Sequence, residues 1–453
     1  MLSRRDPIAL TFSRQRSGRC GVFCVDSPWC RSIRRERDGD FTAASASREL
    51  PVFTIRRAED VRRGCYNSDL SNALAAGTGF MPELNQSPLN SRHLEQGARM
   101  VEFAGWSLPV QYTGISQEAT AVRRSGGVFD ISHMGQLFVR SDKGTGSATG
   151  ALDRLLTSKV TALQPGQGQY TLLLNEQGRI IDDLIVYRLD DDEYFLVVNA
   201  ARVGDDVQWI AEHLPDDVRL DDVSSQFGAI AVQGRHAPAW FESIQRAVGE
   251  GNPVPLPNRF GILDLAHNPG RWLVCRTGYT GEDGFELFCT AELLGPWWDA
   301  VVDTGAVPAG LGARDILRLE KCYPLNGSDL TPERTPLECG LRFAVDLGKP
   351  DFIGRTSLME QQERGLSHRL VAVRQTGKAP PPRAGYSVLA KDQSVGVVTS
   401  GGVSPALGYG IALAWVQAGH HKAGTVLTME IRSRRYPCEV VRKPFLQEST
   451  HAG

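Results

Sequence analysis

Tyr170-Thr-Leu-Leu-Leu-Asn-Glu-Gln-Gly-Arg-Ile-Ile-Asp-Asp-Leu-Ile-Val-Tyr-Arg-Leu-Asp-Asp-Asp-Glu-Tyr-Phe-Leu-Val-Val-Asn199 is the stretch that decides the fold. Strand-forming runs at 170–174, 180–189 and 194–198 are joined by the turn signal Asn175-Glu-Gln-Gly178 and the acidic turn Asp190-Asp-Asp-Glu193, so the segment reads as a β-meander. Strand alternation sends Ile181, Asp183, Ile185 and Tyr187 to one face, and Asp182, Leu184, Val186 and Arg188 to the other. Two carboxylates inside an otherwise apolar strand cost folding free energy unless they are exposed, paired or used. Either they cap amides or pair with Arg188 or Arg179 at a sheet edge, or at least one has a chemical task.

Outward from the meander, short runs of Val, Ile, Leu, Tyr and Phe alternate with turns and with amphipathic stretches such as 239–248, which predicts an α+β architecture. A polar, helix-like run at 359–364 precedes short strands at 370–373, 394–399, 410–416, 425–431 and 438–441, broken by Gly and Pro. These predict a small C-terminal β-barrel with a domain boundary near Gly365. Gly144-Thr-Gly146 lacks the rest of either nucleotide fingerprint, so nucleotide binding is not expected.

Two further segments carry chemistry. In Arg276-Thr-Gly-Tyr-Thr-Gly-Glu-Asp-Gly-Phe-Glu-Leu-Phe288, the glycines allow a tight loop and close backbone approach to a ligand. Glu286 then faces opposite to Phe285 and Leu287, either on a solvated strand face or offering paired acceptor oxygens to a flat donor edge. In Gly310-Leu-Gly-Ala-Arg-Asp-Ile-Leu-Arg-Leu-Glu-Lys-Cys-Tyr323, Arg314 and Arg318 lie four apart on one side of a helix whose Ile316, Leu317 and Leu319 face the core. Arg314 is the better candidate for gripping an acid; Arg318 is expected to pair with Asp315 or Glu320 on a wet surface.

At 453 residues the chain should hold two or three domains, and 41% hydrophobic with 23% charged residues is a soluble, globular composition. A net charge of −2 offers no basic excess for nucleic acid, and no apolar run reaches the ~18 residues of a membrane span. The cysteine count is 9, odd and without C-x-x-C spacing, which suits reduced thiols in an intracellular compartment. His420-His421 has no further ligand types beside it, so no metal is expected. Residues 1–35 hold Arg4, Arg5, Arg14, Arg16, Arg19, Arg31, Arg34 and Arg35 against only Asp6 and Asp26, the composition of an organelle transit peptide. The expected layout is 1–90 leader and linker, 91–365 the catalytic α+β region, and 366–447 the barrel. The leader favours the mitochondrial matrix, although composition leaves a plastid open.

Taken together, Val101-Glu-Phe-Ala-Gly-Trp-Ser-Leu-Pro-Val-Gln-Tyr112, Val128-Phe-Asp-Ile-Ser-His-Met134, Gly178-Arg-Ile-Ile-Asp-Asp-Leu-Ile-Val186, the 276–286 loop, Gly312-Ala-Arg-Asp315, Gly396-Val-Val-Thr-Ser-Gly401 and Ser404-Pro405 resemble the glycine cleavage T-protein family. The resemblance implies a folate-binding aminomethyltransferase fold. It also implies transfer of the aminomethyl carbon from the lipoyl arm of H-protein to tetrahydrofolate, with release of ammonia. Asp183 matches the family's catalytic aspartate, Glu286 the acid that binds the pterin, and Arg314 the arginine at the folate site. Met134, Tyr170, Ile185, Tyr187, Asn199, Tyr279 and Tyr323 match positions lining that pocket. The chain departs from the family pattern at Arg179, where a second glycine is usual, and at Gln117-Glu-Ala-Thr-Ala-Val-Arg123. An iron-sulfur cluster assembly factor of the same fold is the alternative, but its relatives carry a Lys-Gly-Cys-Tyr motif where this chain has Lys321-Cys-Tyr323. A folate-dependent demethylating oxidase would need a flavin domain that about 90 N-terminal residues cannot hold.

Overall fold

Strand period two, with apolar side chains on both faces, requires cover on each side of the meander, and the fold supplies it. The computed structural model describes residues 83–141, 145–249, 253–267 and 270–447; the arginine-rich leader lies outside them. The meander strands Gln167–Leu174, Ile180–Asp190 and Glu193–Val198 continue into Gly135–Ser141 and Val218–Asp222, giving a five-stranded sheet that is antiparallel throughout. Alternation fails at one residue. Leu173 pairs with Asp182 and Leu174 with Ile180, so Ile181 is the extra residue of a bulge and packs with Leu184 and Val186, not with Ile185. The bulge ends there, and Asp183, Ile185 and Tyr187 keep the shared face that alternation predicts.

A second sheet of six strands, Ile262–His267, Gly270–Cys275, Gly284–Thr290, Phe227–Gln233, Gly127–Asp130 and Val307–Pro308 in that spatial order, packs against the first. Phe138, Tyr187 and Phe195 of one sheet meet Phe129, Leu273 and Phe288 of the other in a single core that also takes in Ile316 and Leu317 of the helix Leu311–Glu320. Helices Ser147–Leu155 and Val203–His213 cover the outer face of the first sheet, and Ala237–Val248 and Ala291–Asp303 that of the second. The order of layers is therefore helix, sheet, sheet, helix, an α+β arrangement.

His368–Gln375, Gly410–Gln417, Gln393–Val403, Ser387–Ala390, Val426–Ile431 and Arg434–Val441 close into a six-stranded barrel. The strand Ser387–Ala390 goes beyond the strands expected from sequence, being too short for a period to stand out. Leu370, Ala372, Ile411 and Leu413 on the barrel's outside share a core with Leu172, Leu174 and Ile180 of the meander, so the barrel is packed onto the site-bearing sheet. The 1–90 leader-and-linker boundary is corrected at its end. Asn85–Gln86 pairs with Trp106 and Ser107, and Leu89 is fully buried, so the folded body starts before residue 91. A two-residue strand has no periodicity to read. Among the described residues no helix is long and apolar enough to cross a membrane.

Candidate active site

Asp182 and Asp183 are adjacent on the Ile180–Asp190 strand, the first fully buried and the second half-buried, and one oxygen of each reaches the side-chain amides of Asn199 and Asn326. Three side chains converge on Asp183. Tyr170 donates its hydroxyl to Oδ2 at 2.9 Å, Asn199 Nδ2 donates to Oδ1 at 3.1 Å, and Asn326 Nδ2 reaches the same oxygen at 3.3 Å. No arginine pairs with it among the described residues; Arg188 donates to the carbonyls of Leu163, Asp190 and Asp191. Burial, reinforced by the neighbouring charge of Asp182, pushes the Asp183 carboxyl up to about 7 against those hydrogen bonds. A carboxyl titrating near neutrality is suited to taking up and handing on a proton.

Glu286 is placed by the Gly284–Thr290 strand, opposite Ala231 and Cys275. Its Oε2 accepts from Thr277 Oγ1 at 2.5 Å, and Thr277 lies 2.7 Å from the Tyr187 hydroxyl. Burial raises the Glu286 carboxyl above its ordinary range, opposed by the Thr277 hydrogen bond and the Arg314 charge. Arg314 stacks over the Tyr279 ring, 5.0 Å from its centre, and Tyr279 in turn lies 6.0 Å from the Tyr323 ring. The loop before Glu286 needs its glycines, because a Cβ at Gly278 would run into the Gln233 amide and Gly281 has φ +75°. Arg123 fastens that loop to the Leu311–Glu320 helix, bridging Glu282 and Glu320 at 2.8 Å each.

The two groups share one neighbourhood, since Tyr279 feels the charge of both Asp183 and Arg314. Met134 and Ile185 are half-buried against the core between the sheets. Tyr187 differs from the pocket-lining expectation: its ring is wholly buried and stacked on Phe195, so only its hydroxyl reaches toward the site, through Thr277. Asn326 joins the site without having been expected there from sequence. Its signal was the Asn326-Gly327 turn pair, which marks a turn without saying what the asparagine faces.

Arg318 is corrected as well. Instead of a wet surface it occupies the interior, where it pairs with Asp315 at 2.6 Å and Asp329 at 2.8 Å and donates to Ser400 Oγ at 2.8 Å and the Tyr323 carbonyl at 3.1 Å. Asp329 also accepts from Leu325 N and Ser400 Oγ. The loop carrying Asn326 is thereby fixed between helix and barrel. Glu320, the other partner expected for Arg318, belongs to Arg123.

Fold and site together define a class: an acid-centred candidate site in an α+β body closed by a C-terminal barrel. The GCVT N-terminal domain family matches residues 89–349, and the glycine cleavage T-protein C-terminal barrel domain matches 368–447. The aminomethyltransferase of Halalkalibacterium halodurans is 40% identical over 370 residues, 81% of this chain and 99% of that protein. That of Nostoc sp. is 42% identical over 373 residues, 81% of this chain and 96% of its own length. The crystal structure of glycine cleavage system aminomethyltransferase T from Bartonella henselae superposes with a TM-score of 0.73 at 31% identity, covering 80% of this chain and 98% of that one. The chain belongs to the glycine cleavage T-protein family of aminomethyltransferases, and is thus a transferase.

Proposed function

We propose that this enzyme takes the aminomethyl group held on the lipoyl arm of H-protein, passes its carbon to tetrahydrofolate and releases ammonia. The observation that carries the reading is Asp183, a half-buried carboxyl held by three donors and poised near neutrality beside the Glu286 and Arg314 group. The residues fit a reduced pterin. Among the described residues Glu286 accepts one hydrogen bond, at Oε2 from Thr277, which leaves Oε1 to accept from the N–H edge of a flat, amidine-like ring. Arg314 offers a cation to the carboxylate of the ligand's tail, and Tyr279 and Tyr323 offer ring faces.

When bound, the folate supplies a nucleophilic ring nitrogen. Asp183 orients that N–H, accepts its proton and stabilises positive charge developing at the methylene carbon. Tyr170, Asn199 and Asn326 keep the carboxylate oxygens aimed while it does so. The test is ammonia release by the purified protein given aminomethylated H-protein, with and without tetrahydrofolate. Release that depends on both is expected; folded protein that releases none removes the reading.

Residues 1–35 support a mitochondrial matrix location by their arginine-rich, acid-poor composition. Fusing residues 1–90 to a fluorescent reporter should send it to mitochondria, and a diffuse signal would count against the leader.

A further inference from the structure

Behind Asp183 lies a second carboxyl group that the reaction does not touch. Asp206, in the first turn of the helix Val203–His213, is fully buried, and neither of its oxygens meets a hydrogen-bond donor among the described residues. It lies within hydrogen-bonding reach of Asp182, which is also fully buried. Two carboxylate oxygens can approach in this way only if a proton lies between them, because an ionised carboxylate has acceptors and no donor. The nearby cation does not neutralise Asp206: Arg202 is turned to Asp205 at 2.9 Å and to the Ile181 carbonyl at 3.0 Å.

Asp182 is in turn the hub for the groups that hold Asp183. Its Oδ2 accepts from the Asn199 backbone N–H at 2.9 Å, and its Oδ1 from Asn199 Nδ2 at 2.8 Å and Asn326 Nδ2 at 2.7 Å. Those same two amide groups donate onward to Asp183 Oδ1. The orientation of both asparagines, and through them of Asp183, depends on Asp182 oxygens that accept from them and are fixed in place.

We propose that Asp206 is a positioning residue for the transfer: it stays protonated and donates its O–H to the Asp182 carboxylate, so that one shared proton and one negative charge anchor the asparagines that aim Asp183. This rests on the role proposed above for Asp183. The groups facing the pair are Asp183 and Asn199 from the meander, Asn326 from the loop, and Arg202 and Asp205 from the start of the helix. A full negative charge on Asp206 would add repulsion to Asp182 without adding a donor.

The test compares Asp206→Asn and Asp206→Leu in the full-length protein. Asparagine keeps an N–H donor where the acid has its O–H, so Asp206→Asn should hold folate-dependent ammonia release within about threefold of the parent, with the same pH profile. Leucine removes the donor, and the turnover rate should fall about tenfold or more with the KM for tetrahydrofolate little changed. A second readout needs no activity. The infrared difference spectrum of the parent minus Asp206→Asn at neutral pH should contain one protonated-carboxyl C=O band that shifts in D2O. That band is measurable even if the transferase reading fails or the leucine variant does not fold. The proposal is overturned if the band is missing, or if Asp206→Asn loses as much activity as Asp206→Leu, which would mean that charge and not a donor is required.

Discussion

Replacing Asp183 by asparagine should disable the protein and shift its stability relative to the parent by an amount that depends on pH in a calculable way. The folded Asp183 carboxyl is pushed up to about 7 from an ordinary 3.8, so the folded protein holds this proton more tightly than the unfolded chain. The sign follows: stability is undiminished below pH ~4, falls as pH rises between the two values, and levels off above about 7. Each unit is worth about 1.36 kcal/mol, which puts the cost of ionising Asp183 near 4 kcal/mol at pH 8 and near 2 kcal/mol at pH 5. Asparagine does not titrate, and whatever it loses or gains in hydrogen bonds to Tyr170, Asn199 and Asn326 is the same at both pH values. The stability difference between Asp183→Asn and the parent should therefore shift by roughly 2–3 kcal/mol in favour of the variant between pH 5 and pH 8. Urea unfolding of both proteins at the two pH values measures it. A difference that stays constant with pH would mean that Asp183 titrates as an ordinary exposed carboxyl, and the reasoning from burial would be wrong.

Other consequences are more direct. Glu286→Gln keeps an acceptor for Thr277 but removes the charge facing the pterin, so tetrahydrofolate binding measured by calorimetry should weaken by about 10- to 100-fold with no loss of thermal stability; unchanged affinity would remove Glu286 from the folate site. Arg318→Met leaves Asp329 buried without its cation and should destabilise by about 3–5 kcal/mol in denaturant unfolding, whereas a cost below ~1 kcal/mol would return Arg318 to the surface role first expected for it. Lys349→Met strands the carbonyls of Leu156 and Ser158, which its ammonium reaches at 2.8 and 3.0 Å, and should lower the unfolding free energy by about 2–4 kcal/mol; a neutral outcome would show that water replaces the lysine.

Much of this was written in the chain where a strong period or an unusual residue choice exposed it. The meander was legible because two turn signals bracket a strand whose alternation puts Asp182 and Asp183 on opposite faces. The glycine-studded loop was legible because no ordinary strand start would tolerate that many glycines. What stayed hidden depended on partners far away in the chain. The Ile181 bulge is set by pairing to Leu173 and Leu174, which local alternation cannot register. Asn326 reaches Asp183 across 143 positions, and Arg318 finds Ser400 across 82. Arg318 shows the general difficulty. An arginine with an acid three residues away looks like a surface ion pair in sequence, and only the arrival of Asp329 and the barrel strand turns it into a buried clamp. Tyr187 shows the converse, since its face of the strand was readable but the depth at which its ring would be covered was not.

On the proposed reading, the half-buried carboxyl at position 183 manages the proton while the folate is held by other residues. Its most direct test is the single-turnover rate of ammonia release from aminomethylated H-protein at saturating tetrahydrofolate, for Asp183→Asn against the parent, with folate affinity measured on the same samples. A rate lower by about 100-fold or more at unchanged affinity is the predicted result; a folded variant that turns over at the parent's rate would contradict it.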